Sequence, residues 1–208
     1  MNLAAMLISP VIPSEKPRLS AEDWLQAALD VIAEQGLAAV AVEPLAKRLG
    51  VTKGSFYWHF PSREALLKSA LEKWEASDQE RVFDPLAHIE DAGERLRELF
   101  VRTSREMRSH VIYSALLNQV DHPVVQPVMQ RLSQKRIAFL GLAYLALGMN
   151  RREAMNRARL AYAAYVGFLQ LMLQMKLPRM STDEYEEYVQ HVAETLIPVS
   201  SRPVAAAD

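Results

Sequence analysis

Leu45-Ala-Lys-Arg-Leu-Gly-Val-Thr-Lys-Gly-Ser-Phe-Tyr-Trp-His-Phe-Pro-Ser-Arg-Glu-Ala-Leu-Leu67 reads as two short helices joined by a glycine turn, with a third helix starting at its end. The first, Val42–Leu49, carries Leu45 and Leu49 on one face and stops at Gly50, a residue free to take the left-handed backbone that ends helices. Pro44 fits its first turn, where the missing N–H has no intrahelical partner. Val51-Thr52-Lys53 then leads tightly into a second helix over Gly54–Phe60. Phe56 and Phe60 share one face of it and pack toward Leu45 and Leu49, and Pro61-Ser62 recaps the chain for a longer helix, Ser62–Asp78. Upstream, Ser20 and Asp23 form a capping-box start for a helix that shows Trp24, Leu25, Ala28, Val31 and Ile32 on one side and ends at Gly36. Short helices around a tight turn predict a helix-turn-helix head.

Charge singles out the same stretch. Residues 44–63 hold Lys47, Arg48, Lys53 and Arg63 and no acid, a local +4 on a chain whose net charge is −1. A basic island on an otherwise acidic molecule is the footprint of a small DNA-binding surface. On the second helix, Lys53 has the reach for a guanine edge or a phosphate, Ser55 allows close approach, and Tyr57, Trp58 and His59 offer flat faces with polar tips. Gly54 serves close backbone approach or the geometry of the helix start. For Trp58, phosphate contact and packing within the head are both open.

The 208 residues are half apolar and 24% charged, the balance of a globular chain and not a disordered one. There is no cysteine, which excludes disulfides and thiolate chemistry and makes a reducing cytoplasm the simplest location. The uncharged stretches Ile137–Asn150 and Leu160–Met175 are shorter than the roughly 20 apolar residues needed to span a bilayer. Met1–Pro13 has no Lys or Arg ahead of its apolar run and is a poor signal peptide; residues 1–17 read as a loose arm and 201–208 as a tail. His59, His88, His110, His122 and His191 are scattered, and no HExxH, phosphate loop or G-x-S-x-G occurs. No catalytic residue, metal ligand or cofactor is therefore expected. Glu72, Glu75, Asp78 and Glu80 read as a solvated helix face.

The stretch from Leu45 to Leu67 resembles the helix-turn-helix signature of the tetracycline-repressor (TetR) family. The Gly50-Val51 turn, Tyr57-x-His59-Phe60 and Arg63-Glu64-x-Leu66-Leu67 fall at the family's spacing, and the likeness runs from Trp24 to about Ala70. The resemblance implies an all-α, homodimeric transcription regulator: a three-helix DNA-binding head over 18–68, and a helical-bundle domain over 69–200 that binds a small effector and dimerises. Its DNA contacts carry over to Lys53, Gly54, Ser55, Tyr57, Trp58, His59 and Arg63. The chain departs from the family at Val40-Ala41-Val42, which lacks the usual capping hydroxyl, and at Glu43, an acid where many relatives have a base.

The C-terminal half is read from composition. Helices are expected along the Leu96, Leu99, Phe100, Thr103, Met107 stripe and through the short apolar segment Val111–Val120. Others are expected from Val124 to Gly148, from Asn150 to about Met175, and from Ser181 or Thr182 to Pro198. Leu160–Met175 is apolar all round, so one side needs a partner; Ala163 and Gly167 let a second helix come close. Together with Tyr185, Tyr188, Val189 and Val192 they suggest a dimer interface, the alternative being a buried central helix of a monomer. Met107, Tyr113, Tyr144, Tyr162, Tyr165, Phe168 and Met172 are candidates to line a pocket for an apolar or aromatic effector, with Asn118 and His122 at its mouth. Each of them taken alone also fits a core position. The expected partners are an operator duplex, a small effector and a second copy of the chain, with no membrane. A ligand-binding or protein-interaction module with little sequence-specific DNA binding is the competing reading.

Overall fold

The computed structural model describes residues 19–198 except 176 and 179, so the expected arm and tail lie outside it. Every regular element among the described residues is helical, and none of those helices is long and apolar enough to cross a membrane. Helix α1 (Ala21–Gln35) opens on a reciprocal capping box between Ser20 and Asp23, and Gly36 closes it with φ 85°. After a single 3-10 turn come α2 (Val42–Leu49), α3 (Lys53–Tyr57) and α4 (Arg63–Asp78). The turn between α2 and α3 depends on Gly50, whose φ of 68° and ψ of 31° are left-handed. Helix α3 is shorter than its apolar pattern suggests. Backbone N–H groups of both His59 and Phe60 turn back onto the Phe56 carbonyl, so the helix tightens and ends before Pro61. Ser62 then caps α4 by accepting from the Ala65 N–H at 3.1 Å.

The body comprises α5 (Ala92–Arg105), α6 (Met107–Leu117), α7 (Val125–Ala146), α8 (Arg151–Leu169) and α9 (Thr182–Leu196). Asn150 caps α8 through Glu153, and Ser181 forms a capping box with Glu184 at α9. Irregular turns extend two helices: α4 runs into a π-turn at Gln79–Phe83 and a 3-10 turn at Asp84–His88, and α8 into a π-turn at Gln170–Gln174.

Two apolar clusters hold these elements. One joins Trp24, Ile32, Leu45, Phe56, Leu66 and Leu71 of the head to Ile112, Tyr113 and Val128 of the body. The other joins Leu86, Leu96, Leu140, Tyr144, Ala158 and Leu196. Each large side chain fully buried in this way contributes about 1.5–3 kcal/mol. The first cluster is continuous from head to body, and the Arg108–Asp30 ion pair ties α6 to α1 at 2.5 Å.

The acidic face expected on α4 is not solvated throughout. Glu75 and Asp78 are buried, because α7 crosses there and supplies Arg131, Lys135 and Arg136 as counter-charges. Helical spacing alone cannot show which face of a charged helix another helix covers.

Candidate nucleic-acid interface and ligand cavities

The reading helix is held by its apolar side and presents its polar side outward. Phe56 is fully buried, edge-on to Trp24 at 5.3 Å and tilted against Phe60 at 5.8 Å. Tyr57 is 56% exposed and Trp58 is 89% exposed, which settles the position of Trp58 as outside the head's core. An apolar ring so exposed costs solvation unless something covers it. Lys53 and Gly54 are exposed, and Ser55 and His59 half-buried. A Cβ on Gly54 would meet only Thr52 Oγ1 at 3.7 Å, so no contact inside the chain requires a glycine there.

The basic island is largely paired within the head. Arg48 forms a two-pronged pair with Glu34, both bonds 2.6 Å, and Lys53 Nζ donates to Glu43 at 2.7 Å. Each pair keeps its cation charged: the hydrogen bond to Glu43 raises the Lys53 pKa, and that to Lys53 lowers Glu43. Glu43, noted from sequence as an unusual acid, thus holds Lys53, one of the expected DNA contacts. Arg63, an expected DNA contact, also has partners inside the head. Its Nε donates to the Val40 carbonyl at 2.5 Å and its Nη2 to that of Leu37 at 3.2 Å. It therefore ties α4 to the 3-10 turn and loop before α2. Its Nη1 lies 3.6 Å from Glu64, and the side chain remains 29% exposed.

In the body, Tyr113, Tyr162 and Tyr165 do come together. The Tyr113 and Tyr162 hydroxyls are 2.5 Å apart, Ser133 Oγ lies 2.9 Å from Tyr162, and Tyr113 and Tyr165 rings are 5.9 Å apart. The arginine they surround was not anticipated. Arg136 lies 5.1 Å from the Tyr113 ring centroid and 5.5 Å from that of Tyr165, and donates through Nη2 to Asp78 at 2.9 Å. A lone arginine in the Arg131–Arg136 run of α7 gives no sign in sequence that it turns inward. Burial and the charge of Arg136 push His110 down to about 4, and burial pushes Tyr165 up to about 12.

The remaining candidates are dispersed. Met107 is 54% exposed at the start of α6, because that helix turns its other side to the core. Tyr144 sits in the second apolar cluster, against which Tyr162 also packs. Met172 is half-buried in the π-turn after α8. Asn118 bonds Gln174 at 2.8 Å, and His122 accepts from the Val124 N–H at 3.2 Å in the turn before α7. Neither Asn118 nor His122 lines a cavity described below.

The body holds two cavities among the described residues' helices, and Arg136 lines the larger. The larger, about 470 Å³, lies between α4, its irregular extension, α5 and α7; Arg136, Asp78, Phe83, Leu86 and Phe139 are among its walls. The smaller, about 70 Å³, lies between α5, α6, α8 and α9 and is lined by His110, Tyr165, Phe168, Tyr185, Tyr188, Val189 and Val192. Tyr185, Tyr188, Val189 and Val192, expected at a dimer surface, are half-buried on the side of α9 that meets α5 and α8 within the protomer. Phe168 stacks on Tyr188 at 4.4 Å and on Tyr185 at 5.9 Å, and Tyr185 donates to the Ser104 carbonyl at 3.2 Å. The apolar stripe of α9 therefore closes the protomer against α5 and α8. Ala163 is exposed beside an exposed Leu160, and a Cβ on Gly167 would meet nothing within 4 Å.

Residues 25–70 match the model of "Bacterial regulatory proteins, tetR family". The uncharacterized HTH-type transcriptional regulator YuxN of Bacillus subtilis is 30% identical over 97 residues, 47% of this chain and 30% of that protein. The tetracycline repressor protein class A from transposon 1721 (Escherichia coli) is 38% identical over 55 residues, 26% of each chain. These matches thus span less than a third of either relative's length. The fold likeness reaches further: a TetR transcriptional regulator from Legionella pneumophila superposes with TM-score 0.72 at 16% identity, covering 86% of this chain and 98% of that one.

Proposed function

The chain belongs to the tetR family of bacterial regulatory proteins, and from that premise we propose a dimeric, ligand-responsive repressor that binds a pseudo-palindromic operator. One observation carries the reading: α3 is anchored by a buried Phe56 while Tyr57 and Trp58 stand exposed beside Lys53. Each head lays α3 in a major groove, with Lys53, Gly54, Ser55, Tyr57, Trp58 and His59 as the contact set. Half-site centres then lie about 34–36 Å, or a multiple of that, apart. The exposed face of α8 around Leu160, Ala163 and Gly167 is the proposed dimer contact. An effector in the body favours a conformer with a different head separation. Such coupling is typically worth about 1–3 kcal/mol, a roughly 5–150-fold loss of DNA affinity. The relative named a tetracycline repressor supports release, not recruitment, as the sense of regulation. Like its relatives, the chain is read as a regulator and not an enzyme, working in the cytoplasm where its DNA lies.

Selection of bound sequences from random duplex DNA at two salt concentrations tests this. A pseudo-palindrome is expected at both, with affinity falling linearly in log salt. Sequence-blind binding lost at the higher salt would overturn the operator reading. It would favour the ligand- or protein-binding alternative, in which the Lys53–Glu43 pair stays closed.

A further inference from the structure

We propose that the 470 Å³ cavity between α4, α5 and α7 binds an apolar carboxylate, whose head group takes Arg136 from Asp78 and so unfastens the end of α4. The inference rests on the regulatory reading above and names the class of its effector. The cavity lies within the roughly 300–1,000 Å³ range of small-molecule sites. Phe83, Leu86, Leu132, Phe139 and Leu142 give it apolar walls.

The polar groups decide the sign of the ligand. Each acid in the lining already has a donor. Glu75 receives both Arg131 (2.7 Å) and Lys135 (3.3 Å), Asp78 receives Arg136 (2.9 Å), and Asp84 accepts from the Gln79 amide (2.7 Å). Burial works to raise the Glu75 pKa, yet its two cations outweigh burial and hold it below its usual value. The unused capacity is on the donor side. Arg136 is 8% exposed, and its Nη1 is buried with no hydrogen-bond partner. Lys135 shares its one acid with Arg131. The lining is otherwise balanced, with Glu75, Asp78 and Asp84 against Arg95, Lys135 and Arg136, so the preference for an anion rests on the unpaired Nη1 of Arg136. A planar carboxylate gripped by two parallel bonds takes Nη1 together with Nη2, the nitrogen that now serves Asp78, so ligand and Asp78 compete for the same guanidinium.

The same contact provides the link to the head. Asp78 is the last residue of α4, the helix that starts at the reading head, and a π-turn follows it directly. Such turns are low-order points in a helix and frequently sit at functional sites. A carboxylate on Arg136 leaves Asp78 without its buried counter-charge, a state the helix end relieves by moving toward water.

The test uses the full chain with three ten-carbon probes: decanoate, decanol and decyltrimethylammonium. Binding is read by calorimetry, and release by anisotropy on the selected operator. Decanoate is expected to bind at least tenfold more tightly than either other probe and to release DNA. Ala138→Phe, at the cavity's outer wall, is expected to abolish decanoate binding without touching a charge. Arg136→Gln is expected to bring decanoate down to the level of decanol. Should that variant fail to fold, Ala138→Phe and the probe ratio decide. Equal binding of decanoate and decanol, preference for the ammonium, or decanoate binding unchanged in Ala138→Phe would overturn the assignment. Sequence-specific DNA binding without decanoate binding would defeat this inference alone. Decanoate binding that leaves DNA affinity unchanged would keep the site and defeat its regulatory role.

Discussion

Lys53 is claimed twice, by Glu43 in the free protein and by DNA in the proposed complex. Glu43 should therefore lower operator affinity by competition. Glu43→Gln is expected to tighten binding several-fold, and Lys53→Ala to weaken it and lower the salt slope by about 1. Both side chains are exposed, so thermal stability should hardly move in either variant. Anisotropy titrations across salt concentrations check both. Unchanged affinity in Glu43→Gln would mean that the pair has no bearing on DNA. Arg63 makes the contrasting case. It bonds two carbonyls inside the head, so Arg63→Met should lower stability by about 1–3 kcal/mol; denaturant melts of wild type and variant measure this.

The α2–α3 turn and the α6 packing each expose a larger unit to test. Gly50 is left-handed with no steric neighbour within 4 Å of a Cβ, so the cost of Gly50→Ala is conformational alone. About 1 kcal/mol is expected. A variant as stable as the wild type would show that the turn reshapes freely. On α6, His110 is buried against Tyr165 at 5.5 Å. Its folded value of about 4 lies below the ordinary 6.5, so the unfolded chain takes up the proton first on acidification. Stability is then lost as pH falls from about 6.5 to about 4, by up to on the order of 3 kcal/mol. Denaturation of wild type and His110→Gln across that window measures it, and the variant should lack this part of the slope.

Assembly is the property of the whole molecule most open to direct test. Ala163→Arg places a long cation on the exposed face of α8, where a single protomer has space for it. Sedimentation is expected to show a folded monomer with operator affinity reduced by orders of magnitude, since two half-sites are no longer bound together. A dimer that survives this change would move the interface elsewhere. Tyr188→Ala is the complement. Because Tyr188 stacks on Phe168 within the protomer but is only half-buried, its loss should lower stability by about 1–2 kcal/mol, less than a core aromatic, without dissociating the dimer. Thermal melts and sedimentation of this variant report the two effects separately.

Sequence alone determined the helical class, the caps at Ser20, Ser62 and Asn150, the glycine turn at Gly50 and helix α3 with its inward Phe56, and it narrowed the start of α9 to Ser181 or Thr182. These features are local: capping, turn chemistry and helical spacing act over a few residues and leave their signature in order along the chain. Only the tertiary structure decided that Glu75 and Asp78 are buried, that Arg136 is enclosed by tyrosines, that Arg63 serves the head's packing and that α9 turns its apolar stripe inward. Each of these depends on which helix crosses which. Asp78 and Arg136 are 58 residues apart, and a charge so far along the chain leaves no periodic trace near its partner. The fate of a charged or apolar face is set by the helix that covers it.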